Sequence, residues 1–360
     1  GVTEQRRFRA ERSLARTDIE ALEIGARRAT ERLTTLQSVP SDSTGGGAFY
    51  QRRGSTWSAT VGADAQRAAG FSRETAYPAL TRTRAGGDWV QQGTFGQADV
   101  GRGPVRLFGG IRHQFTGQEQ RFWSPSAGLS VGRGSVRGRV SAYRSFRAPT
   151  LNELYREFRV GNAVTQANDR LRAEALQGVE GGVDYAGEST RASITVFRNR
   201  LTDLITNVTV SSTPALIVRQ RRNAAGALAR GLEADVRRRF GNWTGELAYL
   251  YSDSRFGTGE RLPQIPRHQG SGQLTYGRGG TFASAGVRST SFQFEDDLNR
   301  FLLGGFAVAH VSVRQRLWRH VSASLAVENL LNREFVVGFS PTPLIGAPVL
   351  WRAGLRWEQR

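Results

Sequence analysis

The 360-residue chain has no cysteine, no methionine and no lysine. Without Cys there are no disulfides and no thiolate metal sites. No run of about 18 apolar residues occurs, and the mean hydropathy is −0.42, so a helical membrane span is excluded. Arg therefore supplies all 50 basic residues, against 31 acidic ones, for a net charge of +19. Such a charge first suggests nucleic acid. The arginines, however, are spread along the chain rather than gathered in one arm, and their abundance beside Ala and Gly looks like GC-rich codon usage. No nucleic-acid partner is expected. Arg lining a polar lumen, or facing anionic lipid or ligand, explains the charge equally well. There is no GxSxG, no HExxH and no phosphate loop ending in GK[ST], and no Ser/His pairing stands out. The expectation is no enzyme and no cofactor. The chain starts at Gly1, so a fragment of a longer reading frame is also expected.

What the sequence does have is alternation. Val321, Ala323, Leu325 and Val327 interleave with Ser322, Ser324, Ala326 and Glu328; Val349, Trp351, Ala353, Leu355 and Trp357 interleave with Leu350, Arg352, Gly354, Arg356 and Glu358. A strand sends successive side chains to opposite faces, so each run has an apolar and a largely polar side. Trp351 and Trp357 share the apolar side about 20 Å apart, close to the height of an outer-membrane barrel's apolar band between its aromatic girdles.

Segments of this kind fall at 3–12, 19–31, 46–53, 57–67, 91–100, 104–114, 123–132, 135–146, 175–186, 190–201, 228–240, 243–254, 267–276, 280–291, 304–317, 320–330 and 348–357. That makes about seventeen strands of bilayer-spanning length; 13–33 also reads as helix. The connectors alternate long and short. Leu331–Ala347, Phe292–Leu303, Arg255–Pro266, Thr202–Ala227, Arg147–Glu174 and Ala68–Val90 are long, and between them lie short, mostly Gly-rich turns such as Gly241–Asn242 and Gly277–Gly279. Short turns on one side and long loops on the other are the habit of outer-membrane barrels. Trp57, Trp243 and Trp318 lie at short turns, Trp89, Trp123 and Trp351 at the loop ends of strands, and Trp357 at the opposite rim. Such rings favour a membrane–water interface.

Several strings resemble, in order, the motifs of TonB-dependent outer-membrane receptors: SFRAPTLNELY at 145–155, NDRLRAEAL at 168–176, FRNRLTDLI at 197–205, RRNAAGALARGLEADV at 221–236, LPQIPRHQGSGQLTY at 262–276, VENLLNREF at 327–335 and GAPVLWRAGLRW at 346–357. In the second string Leu171 and Glu174 match, while Asp169 and Ala173 replace the usual prolines. The resemblance implies an all-β fold: a transmembrane antiparallel up-and-down β-barrel, here incomplete (about 17 of 22 strands), with short periplasmic turns and long extracellular loops. Residues 1–360 would be one partial barrel domain, with the N-terminal plug and the first strands missing. The family ends on an aromatic residue read by the barrel-assembly machinery; here Trp357 is followed by Glu358, Gln359 and Arg360.

The resemblance further implies multi-pass residence in the bacterial outer membrane and TonB-dependent uptake of a scarce nutrient chelate, a ferric siderophore or a cobalamin-like compound. The implied partners are the lipid bilayer and lipopolysaccharide, the protein's own plug, the TonB complex acting through that plug, the barrel-assembly machinery and the metal-chelate ligand. A plug-less channel or structural barrel is the alternative. In the loop 147–174, Tyr155, Arg156, Arg159 and Asn162 are candidate ligand contacts, since Arg suits carboxylate and phosphate groups. Arg147, Pro149, Asn152, Glu153, Leu171, Glu174 and Asn329 belong to the motifs and read as structural. Glu295, Asp296 and Asp297 form an acidic cluster that offers oxygen ligands for Ca²⁺ or simply a solvated loop. Residues 150–167 contain no His, which argues against haem as ligand.

Overall fold

The computed structural model describes residues 3–24, 30–116, 120–160, 162–223, 226–339 and 343–358. In chain order the elements are β1 (Thr3–Ile24), β2 (Glu31–Arg53), β3 (Trp57–Ala76), β4 (Thr81–Arg102), β5 (Val105–Thr116), β6 (Gln120–Arg133), β7 (Val136–Arg147), α1 (Leu151–Tyr155), β8 (Phe158–Val160), β9 (Ala163–Gln166), β10 (Glu174–Ala186), β11 (Thr190–Thr202), β12 (Ile205–Ser212) and β13 (Ile217–Asn223). There follow β14 (Ala227–Phe240), β15 (Trp243–Phe256), β16 (His268–Arg278), β17 (Thr281–Thr290), β18 (Gln293–Phe294), β19 (Leu302–Leu303), β20 (Phe306–Arg316), β21 (Val321–Glu328), β22 (Val336–Gly338), β23 (Leu344–Ile345) and β24 (Leu350–Trp357).

Sixteen strands form one sheet in the order β1-β2-β3-β4-β5-β6-β7-β10-β11-β14-β15-β16-β17-β20-β21-β24. The order is linear. The count of about seventeen is corrected to sixteen: the segment expected at 3–12 and the first part, 19–24, of the segment expected at 19–31 belong to the single strand β1.

The chain divides into two compact units. The first comprises Gly1–Gly128, Tyr143–Gln177 and Thr202–Ala224; the second comprises Leu129–Ala142, Gly178–Leu201 and Ala225–Arg360. In the second unit the register sorts side chains cleanly, since residues directly opposite across a ladder share a face. One row reads Ala353, Leu325, Val313, Ala283, Tyr276, Trp243, Phe240. The adjacent row, on the other face, reads Arg352, Ala326, Ser312, Ser284, Thr275, Thr244, Arg239. The apolar face is the exposed one: Leu247, Leu355 and Trp357 are each about two-thirds exposed or more. None of the seven Trp is buried. The fully buried large side chains are Leu171 and Leu303, both in connectors rather than between sheets. A water-soluble sandwich has the opposite arrangement.

In the first unit the same rule places Tyr50, Val61, Gly96 and Ile111 in one row. The polar face beside it is tied by side chains. Arg112 grips both oxygens of Asp64 at 2.8 and 2.7 Å, Ser58 and Arg106 both donate to Asp99, and Gln114 donates to Gln91.

At one end of the strands the connectors are short throughout. Four of them place Gly103, Gly134, Gly241 or Gly279 at φ near +58°, a conformation that L side chains resist and Gly adopts freely. At the other end the expected alternation fails early in the chain. Ala68–Val90 is not a long loop: β3 and β4 run on for 20 and 22 residues and meet in a turn at 77–80. Trp89 consequently lies within β4 rather than at its end, on the face shared with Gln91. From β7 onward the connectors at this end are long and carry their own small strands. One is a four-stranded sheet in the order β12-β13-β9-β8.

Candidate functional site

The connector 148–173 and the hairpin β12–β13 meet in the first unit. Thr150 caps the one-turn helix α1 through a capping box: its hydroxyl accepts the Glu153 N–H, and the Glu153 carboxylate accepts the Thr150 N–H at 2.8 Å. This pairing satisfies two donors that a helix start leaves open. Glu153 also meets Arg147, at the end of β7, in a two-point contact of 2.9 and 3.1 Å. The same guanidinium forks onto Glu174, at the start of β10, at 2.7 and 2.9 Å. Glu174 then accepts the Ile205 N–H of β12 at 2.6 Å. One Arg therefore locks β7, α1, β10 and β12, using the planar geometry that Lys lacks.

Around this clamp, buried Arg221 of β13 donates to the carbonyls of Asn152 and Arg156, both at 2.7 Å. Its own carbonyl accepts from Asn168. Asn223 donates to the carbonyls of Arg172 and Asp203 and accepts the Arg172 N–H. Leu154, Leu171 and Ala173 fill the small core. Four motif strings that are far apart in sequence converge here. Asp203, Arg221 and Asn223 lie in motif strings, but their contacts had no local sequence signal, and Gln37 lies in no motif string. For Asp203 the structural mark is a left-handed backbone, φ 54°.

The four candidate ligand contacts have different surroundings. Arg156 donates to Gln37 Oε1 at 3.2 and 2.6 Å, and buried Gln37 donates onward to Ser72 and Glu74. Half-buried Tyr155 ends α1, and its ring covers Gly87 so closely that a Cβ there would lie 2.7 Å from it. Asn162 accepts the Ile217 N–H on its carbonyl, and its side chain reaches the Pro214 carbonyl at 3.4 Å. Arg159 is exposed, opposite Val164 on the β8–β9 hairpin. Pro149 sits in the extended stretch before α1, next to its N-cap.

Burial works against the charge on Glu153, but Arg147 and the Thr150 N–H outweigh it and hold the pKa below the ordinary carboxylate range. A carboxylate with a depressed folded pKa adds stability that is present above its unfolded pKa, about 4.3. That stability is lost as pH falls through the folded value. The protection factor of the α1 amides, taken relative to the intrinsic exchange rate at each pH, is thus expected to be flat down to about pH 5 and to fall below the unfolded pKa. Protection that persists unchanged at pH 2 would contradict the role of Glu153.

Two further sets of residues lie elsewhere. Among the described residues no three His, Asp or Glu side chains gather as metal ligands, Glu295, Asp296 and Asp297 included. The buried Asp296 carboxylate turns into its own loop and accepts the N–H groups of Arg300 and Phe301, while Glu295 accepts from Gln264. Asn329, buried at φ 47°, accepts the Arg333 N–H and donates to the carbonyls of Arg333 and Ala347, closing the last connector. Of the three residues after Trp357, Gln359 and Arg360 lie outside the described residues.

A family model described as TonB dependent receptor-like, beta-barrel, matches residues 5–330. No curated protein sequence matches the chain. Among solved structures, a copper transporter, OprC, superposes with a TM-score of 0.80 at 16% identity, covering 98% of this chain and 62% of that one. The ferripyoverdine receptor of the outer membrane of Pseudomonas aeruginosa gives 0.75 at 14% identity, covering 99% and 54%. The ferric enterobactin receptor PfeA of Pseudomonas aeruginosa, as a mutant with bound enterobactin, gives 0.72 at 16%, covering 98% and 60%. The chain thus spans between 54% and 62% of the length of these structures. By the extent of the family match and by its sheet, the chain belongs to the TonB-dependent receptor β-barrel family.

Proposed function

We propose that this chain is the barrel part of an outer-membrane receptor that takes up a metal chelate, a ferric siderophore in the first place, at the expense of TonB-delivered energy. The observation that carries the reading is the sorting of the sheet: an exposed apolar face bounded by aromatic rings, and a polar face rich in Arg. On β15 the apolar face runs from Trp243 to Tyr251, eight residues or about 27 Å of strand, which suits a hydrocarbon layer crossed at a tilt. The long connectors then lie on the extracellular side, where the clamped loops capture the chelate. The solved relatives named as copper, enterobactin and pyoverdine proteins support a metal-linked cargo. In the full-length receptor the polar face would enclose a plug that TonB rearranges.

The test is growth of the native host under iron limitation on single ferric catecholates, hydroxamates and citrate, with cobalamin as a separate arm. Loss of the gene is expected to abolish growth on one of these. The full-length receptor should restore it only when TonB is present. Growth unchanged on every source, or rescue without TonB, would favour a plug-less channel.

Within this reading, Tyr155→Ala and Arg159→Ala are each expected to weaken uptake while barrel assembly stays normal. Transport of the radiolabelled chelate, with heat-modifiable mobility as the folding control, checks this. Full transport by both variants would remove these side chains from the capture surface.

A further inference from the structure

One level of the first unit is weak on three strands at once. On β2 it holds Pro40, which has no N–H to give to a ladder. The β2–β3 ladder breaks off at Ser38 with Arg73 and resumes, in the same register, at Ser41 with Gly70. On β3 and β4 the level holds Gly70 opposite Gly87 and Phe71 opposite Gly86. A Cβ at Gly86 would run into the Gly70 carbonyl and the Phe71 Cα. Glycines inside a strand leave its backbone freer and give it nothing to pack. Just below this level the β4–β5 ladder ends, at Gln91 with Thr116. Above it the outer ends of β2, β3 and β4 run on to Glu31, Ala76 and Thr81. β1 stays paired with β2 through the level, Arg16 opposite Pro40, and must turn with it.

The helix α1 lies across the same level, on the face that carries Asp64 and Gln91. Leu151 Cδ1 lies 3.5 Å from where a Cβ at Gly70 would stand, and the Tyr155 ring lies over Gly87. The glycines thus form a seat for one aliphatic and one aromatic side chain. Beyond the seat, Arg156 donates to Gln37 Oε1, and Gln37 donates to Ser72 and Glu74. Gln37 stands opposite Glu74 on the outer side of the weak level. At its other end α1 is held by Arg147 of β7 through Glu153. The helix is therefore a strap, fastened to β7 by Glu153 and to the outer strand ends by Arg156.

We propose that the outer ends of β1–β4 form a hinged flap that turns about Pro40, Gly70 and Gly87, and that Tyr155 and Arg156 are the catch that holds it. Withdrawing either side chain frees the flap, so a displacement of the connector 148–173 is passed to four strands. The ring either fills the glycine seat or leaves it, which makes the two arrangements discrete. Tyr155 and Arg156 thereby gain a positioning role beside any contact with a chelate. The hinge stands on the geometry alone; its place at the cell surface rests on the uptake-receptor reading.

The chain has no cysteine, so spin labels can be placed in the full-length receptor at Thr81→Cys, on the exposed tip of the flap, and at Ala127→Cys, exposed on β6. Any cysteine elsewhere in the receptor is changed to serine. Neither label is on α1, so loosening of the connector alone leaves their separation as it was. The parent is expected to give one narrow distance. Tyr155→Ala, Arg156→Gln and Gly87→Ala should each add a second distance and raise its share about tenfold, the size expected for losing one charged hydrogen-bond contact. Tyr155→Phe keeps the ring and should match the parent.

One narrow distance in the parent and in all three variants overturns the proposal. A parent already as broad as Tyr155→Ala overturns it too, because nothing is then caught. Should Gly87→Ala lose heat-modifiable mobility, Tyr155→Ala and Arg156→Gln decide, since neither side chain belongs to the large sheet. Growth that does not depend on the receptor defeats the uptake reading and leaves the hinge standing. An unmoved label pair defeats the hinge and leaves the uptake reading standing.

Discussion

Replacing Arg147 by leucine is expected to release the extracellular loops while leaving the barrel folded. The change strands the carboxylates of Glu153 and Glu174, whose side chains are 20% and 12% exposed. Breaking a buried pair from one side costs about 3–5 kcal/mol, but Arg147 is itself 44% exposed. With that screening, about 2–3 kcal/mol is the reasonable cost. This amounts to a roughly 30- to 150-fold rise in the open population of the loops. Hydrogen exchange at α1, β9 and β12 should report it directly, and chelate uptake should fall in parallel. Heat-modifiable mobility should not change, because Arg147 makes none of the side-chain contacts of the polar face below it. Arg147→Lys separates charge from geometry. Lysine keeps the charge but cannot fork onto two carboxylates, so an intermediate loss is expected. If Arg147→Leu leaves exchange and uptake as they were, the clamp is not what orders the loops.

The clamp was only half legible in the sequence. Arg147, Glu153 and Glu174 stood out because they sit in motif strings, and Thr150 with Glu153 has the spacing of a capping box. Their meeting point was not legible. Arg156 reaches Gln37 across 119 positions and Arg221 reaches Asn152 across 69, and no local pattern encodes such a distance. The strands split in the same way. The strands of the large sheet from β14 to β24 each carry one apolar and one largely polar face, so alternation marks them. The outer parts of β2 to β4 show no period-two pattern. Pro40 and its Ser-rich neighbours in β2 read as a break, since Pro cannot donate to a ladder. The strand passes through Pro40 nonetheless, and β2–β3 pairing skips from Ser38 to Ser41.

Where alternation is strong, it makes a sharp prediction about a single position. Leu325 lies opposite Val313 and Ala353 on the apolar face and is 45% exposed. Trp351 and Trp357 flank that row on β24, two residues to one side of Ala353 and four to the other, or about 7 and 13 Å. This is well inside the band that the indoles mark. An Arg there must take its charge into hydrocarbon or bend to the rim. The full-length receptor carrying Leu325→Arg should therefore lose about 2–4 kcal/mol of folding free energy in vesicles, read from urea titrations. Ser324→Arg is the control. Its neighbour in sequence faces the polar side, opposite Arg314 and Gly354, and a charge there remains hydrated. Its cost should stay near that of an ordinary surface substitution, about 0.5 kcal/mol, plus repulsion from Arg314. Equal costs at 324 and 325, or a neutral Leu325→Arg, would mean that the apolar face does not meet lipid.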